Sequence, residues 1–153
     1  MLCLYVDDLL ITGDPESTWE IIDFLKRKYS VSAEGQIKRY LRINVTIGSG
    51  PWKLDQSKDI RDFITAHSFQ GLKKVDWPSD PELRYEETLV GKAVNQPGYR
   101  SLIGGLLWYA IATRPDILYA VNAVAQFQQH PTTCAWTAAD RNRAAITPTM
   151  TSA

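Results

Sequence analysis

Two runs of β-forming residues separated by a pair of carboxylates constrain this chain most: Leu2-Cys3-Leu4-Tyr5-Val6, then Asp7-Asp8, then Leu9-Leu10-Ile11-Thr12. Apolar runs with so short a polar interruption read as a hairpin of two strands with the aspartates at its tip. Adjacent carboxylates repel one another, so such a pair is not buried without a compensating cation. The natural compensation is Mg²⁺ or Mn²⁺. A hard ion of this kind takes oxygen ligands, keeps several waters, and is commonly held by one or two carboxylates together with substrate phosphates. The chemistry this suggests is nucleotidyl transfer, in which metal ions clamp the attacking and leaving oxygens. A plain turn is the competing reading, because Asp is a common turn residue and four residues do not separate the two.

The residues after the hairpin predict a helix from Pro15 to about Tyr29. Asp14 suits its cap, Pro15 its first position and Glu16 the positive end of its dipole. Trp19, Ile22, Leu25 and Tyr29 recur at helical spacing and are expected to cover the sheet. Lys26-Arg27-Lys28 suits the negative end of that helix as a solvated terminus, with phosphate contact as the alternative. Next, Tyr40 to Ile47 alternates strictly, with Leu41, Ile43, Val45 and Ile47 on one face and Arg42, Asn44 and Thr46 on the other. Gly48-Ser49-Gly50-Pro51 turns this strand back into Trp52-Lys53-Leu54-Asp55, giving a second hairpin expected in the same sheet as the first. The cations on these strands, Arg39, Arg42 and Lys53, suit a sheet edge that must be kept from pairing.

Ser57 is expected to cap a helix through about His67, with Ile60, Phe63, Ile64 and His67 facing inward. His67 has no second His or Cys at ligand spacing and reads as structural. Residues 73–98 carry three prolines and many charges and read as a connector. Beyond it, Leu102, Ile103, Leu106, Tyr109 and Ala110 share one helical face, and Gly104 and Gly105 allow close helix contact. Ile117, Ala120, Val121, Val124 and Phe127 form a second stripe on a helix opened by Pro115. A last helix spans about Thr133 to Ile146, which completes a small bundle.

At this point family resemblance enters. Tyr5-Val6-Asp7-Asp8-Leu9-Leu10-Ile11 resembles the Tyr-X-Asp-Asp box of reverse transcriptases, in the form carried by copia-type LTR retrotransposons. Tyr99-Arg100-Ser101 followed by Gly104, and later Thr113-Arg114-Pro115-Asp116-Ile117, resemble segments that follow the polymerase core in copia-type polyproteins. The similarity covers Met1 to Trp136, and Thr147 to Ala153 resembles nothing in the family. It implies an α+β fold: residues 1–72 as a partial palm with a catalytic and a primer-side hairpin, 73–98 as connector, 99–147 as a helical thumb-like lobe and 148–153 as tail. It also implies Asp7 as direct metal ligand and Asp8 as its electrostatic partner. Tyr5 and Val6 would line the primer terminus, with Arg42 and Lys53 on the primer side. The implied cofactor is Mg²⁺ or Mn²⁺, and the implied partners are an RNA or DNA template-primer and deoxynucleotides. One departure stands out, since the family's aromatic-Leu-Gly appears here as Tyr40-Leu41-Arg42.

The family's first catalytic carboxylate and its nucleotide-binding fingers precede the box, and Met1 stands only four residues before Tyr5. The expectation is a fragment that binds metal weakly and is inactive without an N-terminal polymerase half. The alternative is a non-catalytic relic that grips nucleic acid through its backbone. Composition excludes some classes. A formal net charge of +0 gives no global pull toward nucleic acid, so any such affinity must be local. Cys3 and Cys134 show no metal spacing and read as reduced thiols. The apolar window Leu102 to Ala112 is well short of the ~20 residues a membrane span needs. With no basic start before the first apolar run, the expectation is a soluble intracellular protein in cytoplasm or nucleus.

Overall fold

The hairpin forms at the two apolar runs. In the computed structural model, which describes residues 1–67, 78 and 91–146, β1 (Leu2–Tyr5) and β2 (Asp8–Ile11) pair antiparallel. The register sets Leu2 against Ile11 and Tyr5 against Asp8, leaving Val6 and Asp7 as a two-residue turn. At the open end Thr12 N–H donates to Met1 O at 2.9 Å and the Met1 ammonium donates to Thr12 O at 2.6 Å. A two-residue turn that follows the twist of its strands needs positive φ, and Val6 adopts it at 51°. A β-branched side chain is strained there.

Helix α1 (Pro15–Lys28) starts as its residues require, with Asp14 Oδ2 accepting from Ser17 N–H at 3.0 Å and Pro15 in the first turn. The expectation that it covers a sheet is corrected: no residue of α1 is buried, and Trp19 and Tyr29 are each 54% exposed. Periodicity fixes the direction of an apolar face, but it carries no information on whether a second surface lies against it.

The second hairpin forms with a different boundary. β4 (Ile43–Thr46) pairs antiparallel with β5 (Lys53–Asp55), as the alternation and the Gly-Ser-Gly-Pro turn indicate. However, Tyr40 does not continue into β4. Leu41 and Arg42 take φ of 48° and 64°, and the chain folds back so that β3 (Arg39–Tyr40) pairs with Ile43 and Asn44. Here the missing glycine of Tyr40-Leu41-Arg42 gains a physical meaning, because Arg42 occupies a left-handed position that glycine takes at no steric cost. We expect Arg42→Gly to stabilise this turn by about 1 kcal/mol. The check is the urea midpoint of the β3 and β4 amides by NMR, which should rise.

The sheets are also two rather than one, ordered β1-β2 and β3-β4-β5. Alternation decides which residues share a face, but nothing local to a strand decides which edges meet. On the three-stranded sheet Tyr40, Ile43, Val45 and Leu54 share one face, and Arg39, Asn44, Thr46, Lys53 and Asp55 the other.

The chain divides into two units, Met1–Asp55 and Gln56–Ala153. The first contains no fully buried residue. The second holds the core. Helix α2 (Ser57–Ala66) contributes Ile60, with Phe63 and Ile64 packed against the core, and so belongs with the helices rather than with the strands of 1–72. Its N-cap is Gln56 rather than Ser57, and no side chain caps it. Helix α3 (Gln96–Ala112) buries Leu102, Ile103, Leu106, Tyr109 and Ala110, the face read from the sequence, and Tyr99 besides. Asn95 caps it, its side chain accepting from Gly98 N–H at 3.4 Å.

A 3-10 turn (Pro115–Ile117) leads into α4 (Leu118–Ala125), where Ile117, Ala120, Val121, Val124 and Phe127 are buried as the stripe predicts. Helix α5 (Thr133–Ile146) buries Ala135, Ala138, Ala139 and Ile146, and also Arg143, whose Nη2 lies 3.0 Å from Asp140 Oδ1. Burial pushes the Asp140 carboxyl up, against the pull of Arg143. Among the described residues no helix is long and apolar enough to cross a membrane. The connector expected at 73–98 lies outside the described residues up to 90, apart from Pro78, and the tail 148–153 lies wholly outside.

Candidate functional site

Asp7 and Asp8 stand at the closed end of the β1-β2 hairpin, Asp7 in the turn and Asp8 opening β2 opposite Tyr5. Both are exposed, as are Tyr5 at 60% and Val6 at 77%. The ladder from Leu2–Ile11 to Tyr5–Asp8 fixes the tip from below, and the positive φ of Val6 fixes it from above. The result is two exposed carboxylates on consecutive residues. Hard oxygen donors of this kind suit Mg²⁺ or Mn²⁺ with the remaining positions filled by water and by phosphate oxygens. They do not make a closed cage, because no group of three or more His, Cys, Asp or Glu able to hold a metal occurs among the described residues. The pair therefore fits as a partial site.

The residues expected on the primer side lie on other elements of the same unit. Arg42 is in the β3-β4 turn and Lys53 on β5, so both belong to the three-stranded sheet rather than to the hairpin of the aspartates. Both are exposed. Lys53 shares the polar face with Asn44 and Asp55.

The two later sequence segments singled out above turn out to be joints of the helical unit. Tyr99 O–H donates to Val124 O at 2.7 Å and lies 3.5 Å from Ala135 O, so one buried phenol bridges three helices, and burial raises its pKa. Arg100 Nε donates to Gln128 O at 3.1 Å, and Ser101 Oγ lies 3.3 Å from His67 Nε2. His67 Nδ1 in turn lies 3.0 Å from Phe63 O, at the end of α2. That supports the structural reading of this histidine.

Thr113 Oγ1 donates to the buried Gln56 Oε1 at 2.9 Å, tying the end of α3 to the start of α2. Arg114 reaches two ways. Its Nε and Nη2 hold Asp116 at 2.9 and 2.7 Å, while Nη1 and Nη2 donate to Ile146 O at 2.6 Å and Ala145 O at 3.0 Å. Those carbonyls are among the last of α5, which have no partners within the helix. Hydrogen bonds from Arg114 hold the Asp116 carboxyl below its ordinary pKa. Spacing alone gives no signal of these links, since each joins residues 25 or more positions apart, except Arg114 to Asp116 and His67 to Phe63.

No family model matches the chain, and no solved structure does. Sequence relatives are plain, however. The chain is 33% identical over 132 residues to the retrovirus-related Pol polyprotein from transposon RE1 of Arabidopsis thaliana, covering 86% of this chain and 9% of that protein. It is 30% identical over 143 residues to the corresponding polyprotein from transposon RE2 of the same plant, covering 92% of this chain and 10% of that one. It is also 30% identical over 132 residues to an uncharacterized mitochondrial protein of Arabidopsis thaliana, covering 86% of this chain and 54% of that protein. The chain thus spans about a tenth of the polyproteins and about half of the mitochondrial relative. These matches make the chain's homologues the copia-type retrovirus-related Pol polyproteins of transposons, to one segment of which it is similar over most of its length.

Proposed function

We propose that this chain is a segment of an RNA-directed DNA polymerase, with Asp7 and Asp8 as its metal-binding carboxylates. The observation that carries the reading is the placement of two adjacent, exposed carboxylates at the turn of a short, fully paired hairpin. Asp7 would be the direct ligand and Asp8 its electrostatic partner, with Tyr5 and Val6 facing the primer end of a template-primer. Mg²⁺ or Mn²⁺ bound there would supply charge to the oxygens of an in-line displacement. The hairpin contributes position, its paired strands presenting both carboxylates at one end.

With two carboxylates and no third ligand among the described residues, the site is short of what fixes two metal ions. The non-catalytic reading therefore applies to the chain taken alone: it binds metal weakly and does not synthesise DNA. Missing ligands are not replaced by surface charge, because positioning of the reacting groups is worth up to ~7–11 kcal/mol of barrier. A Mn²⁺ titration followed by water-proton relaxation should give a dissociation constant in roughly the millimolar range, and Asp7→Asn should remove the binding while the circular dichroism stays unchanged. Primer extension by the wild-type chain with template-primer, Mn²⁺ and four deoxynucleotides should be absent. Metal binding that survives Asp7→Asn would place the site elsewhere, and extension by the wild type that the same substitution abolishes would mean a further carboxylate in the chain completes it.

A further inference from the structure

The outer strand of the three-stranded sheet, β5, reads Lys53-Leu54-Asp55, a sequence whose charges complement themselves when the strand is reversed. We propose that two copies of this chain associate through β5, antiparallel about a two-fold axis at Leu54, joining two three-stranded sheets into one of six. The inference is independent of the polymerase reading.

Strand parity supports it first. Val45 N–H donates to Lys38 O at 2.8 Å, away from β5. Antiparallel partners alternate between hydrogen-bonded and non-hydrogen-bonded pairs, so Val45 and Leu54, which stand opposite each other, form a non-hydrogen-bonded pair. Leu54 therefore directs its N–H and C=O to the outer edge. Set against the partner's Leu54, these groups exchange two hydrogen bonds.

Charge then selects the register. With Leu54 on the axis, Lys53 stands opposite the partner's Asp55 and Asp55 opposite the partner's Lys53. Both are at non-hydrogen-bonded positions, where facing side chains come closest. An axis at Lys53 or at Asp55 would instead set like charges against each other. The faces agree as well: Leu54, 56% exposed, shares its side of the sheet with Tyr40, Ile43 and Val45, and the two-fold axis makes the two apolar faces continuous. Such an arrangement is isologous and closes on itself. A ladder of three residues is far smaller than the interface of a tight dimer, so the association is weak and concentration-dependent.

Sedimentation equilibrium of the full chain over a range of concentrations is the test. The wild type should show a monomer-dimer equilibrium, weakened about tenfold or more by Lys53→Asp and by Asp55→Lys, each of which sets like charges opposite. The double variant Lys53→Asp with Asp55→Lys should restore it. As a check that does not depend on the charge variants folding, Leu54→Cys in a Cys3→Ser, Cys134→Ser background should be cross-linked between copies by a short bis-maleimide, which spans the distance between side chains at a hydrogen-bonded pair. A wild type that is monomeric throughout would overturn the proposal, as would association indifferent to both charge reversals, or a Leu54→Cys chain that does not cross-link. Association unaffected by the reversals would point instead to pairing through another strand.

Discussion

Replacing Arg114 by alanine should destabilise the helical unit by about 2–4 kcal/mol, read as a fall in the denaturant midpoint of its far-ultraviolet dichroism. Two hydrogen bonds from a guanidinium to the last carbonyls of α5 are lost, at ~1.5–3 kcal/mol for each bond to a charged group, discounted because the side chain is 25% exposed. Arg114→Lys should recover little of this. A single ammonium cannot hold Asp116 and two carbonyls at once, because it lacks the fixed fork of the guanidinium. The pH dependence has a definite sign. The Asp116 carboxyl is held below its ordinary value of 3.8 by hydrogen bonds from Arg114, so its contribution is complete above that value and is lost as pH falls through the lowered one. The gap between wild type and Arg114→Ala should therefore narrow below about pH 4. An Arg114→Ala chain as stable as the wild type would show that α5 is held by its apolar face alone.

Two neighbouring glycines should answer the same substitution with opposite signs. A Cβ at Gly104 would meet nothing within 4 Å, so Gly104→Ala gains helix propensity, up to ~1 kcal/mol. A Cβ at Gly105 would stand 2.1 Å from Phe63 Cε2 and 2.5 Å from Cζ. The Phe63 ring has little room to withdraw, with the His67 ring centroid 4.3 Å away on one side and that of Tyr109 5.3 Å away on another. Overpacking of this kind costs ~1–3 kcal/mol, so Gly105→Ala should be net destabilising despite the better helix former. Phe63→Leu should relieve part of the loss. Thermal melts of the four chains, including the Gly105→Ala, Phe63→Leu pair, would decide it. Equal and favourable shifts for both glycines would mean that α2 and α3 are not in contact at Gly105.

The sequence already carried much of this structure. The first hairpin, the face of α3, the stripe from Ile117 to Phe127 and the extent of α5 all follow from hydrophobic period and turn residues, which are local quantities. The position of Asp7 and Asp8 at a hairpin tip was legible for the same reason. What failed was non-local or conformational. Strict alternation through Tyr40-Leu41-Arg42 reads as strand, yet these residues include a turn, because polarity patterns do not register the sign of φ. Gly104 and Gly105 look alike in sequence, and only the neighbouring helix distinguishes them. The division of the strands into two sheets, with Arg42 and Lys53 in a different ladder from the aspartates, was equally beyond the local pattern. Arg114 stood in a segment noticed only for its resemblance, while its task of holding the end of α5 depends on a contact 32 positions away.

The absence of a buried side chain between Met1 and Asp55 has a consequence on the timescale of amide hydrogen exchange. Exchange in the helical unit should require cooperative opening, so amides such as those of Leu102 and Leu106 should approach the protection of global unfolding. Those of β1 and β2 should exchange through local fraying, within seconds to minutes at neutral pH. The stretch that bears the two carboxylates thus belongs to the less protected of the two units. A metal ion or a nucleic-acid strand arriving there would slow its exchange far more than anything already present in the chain does.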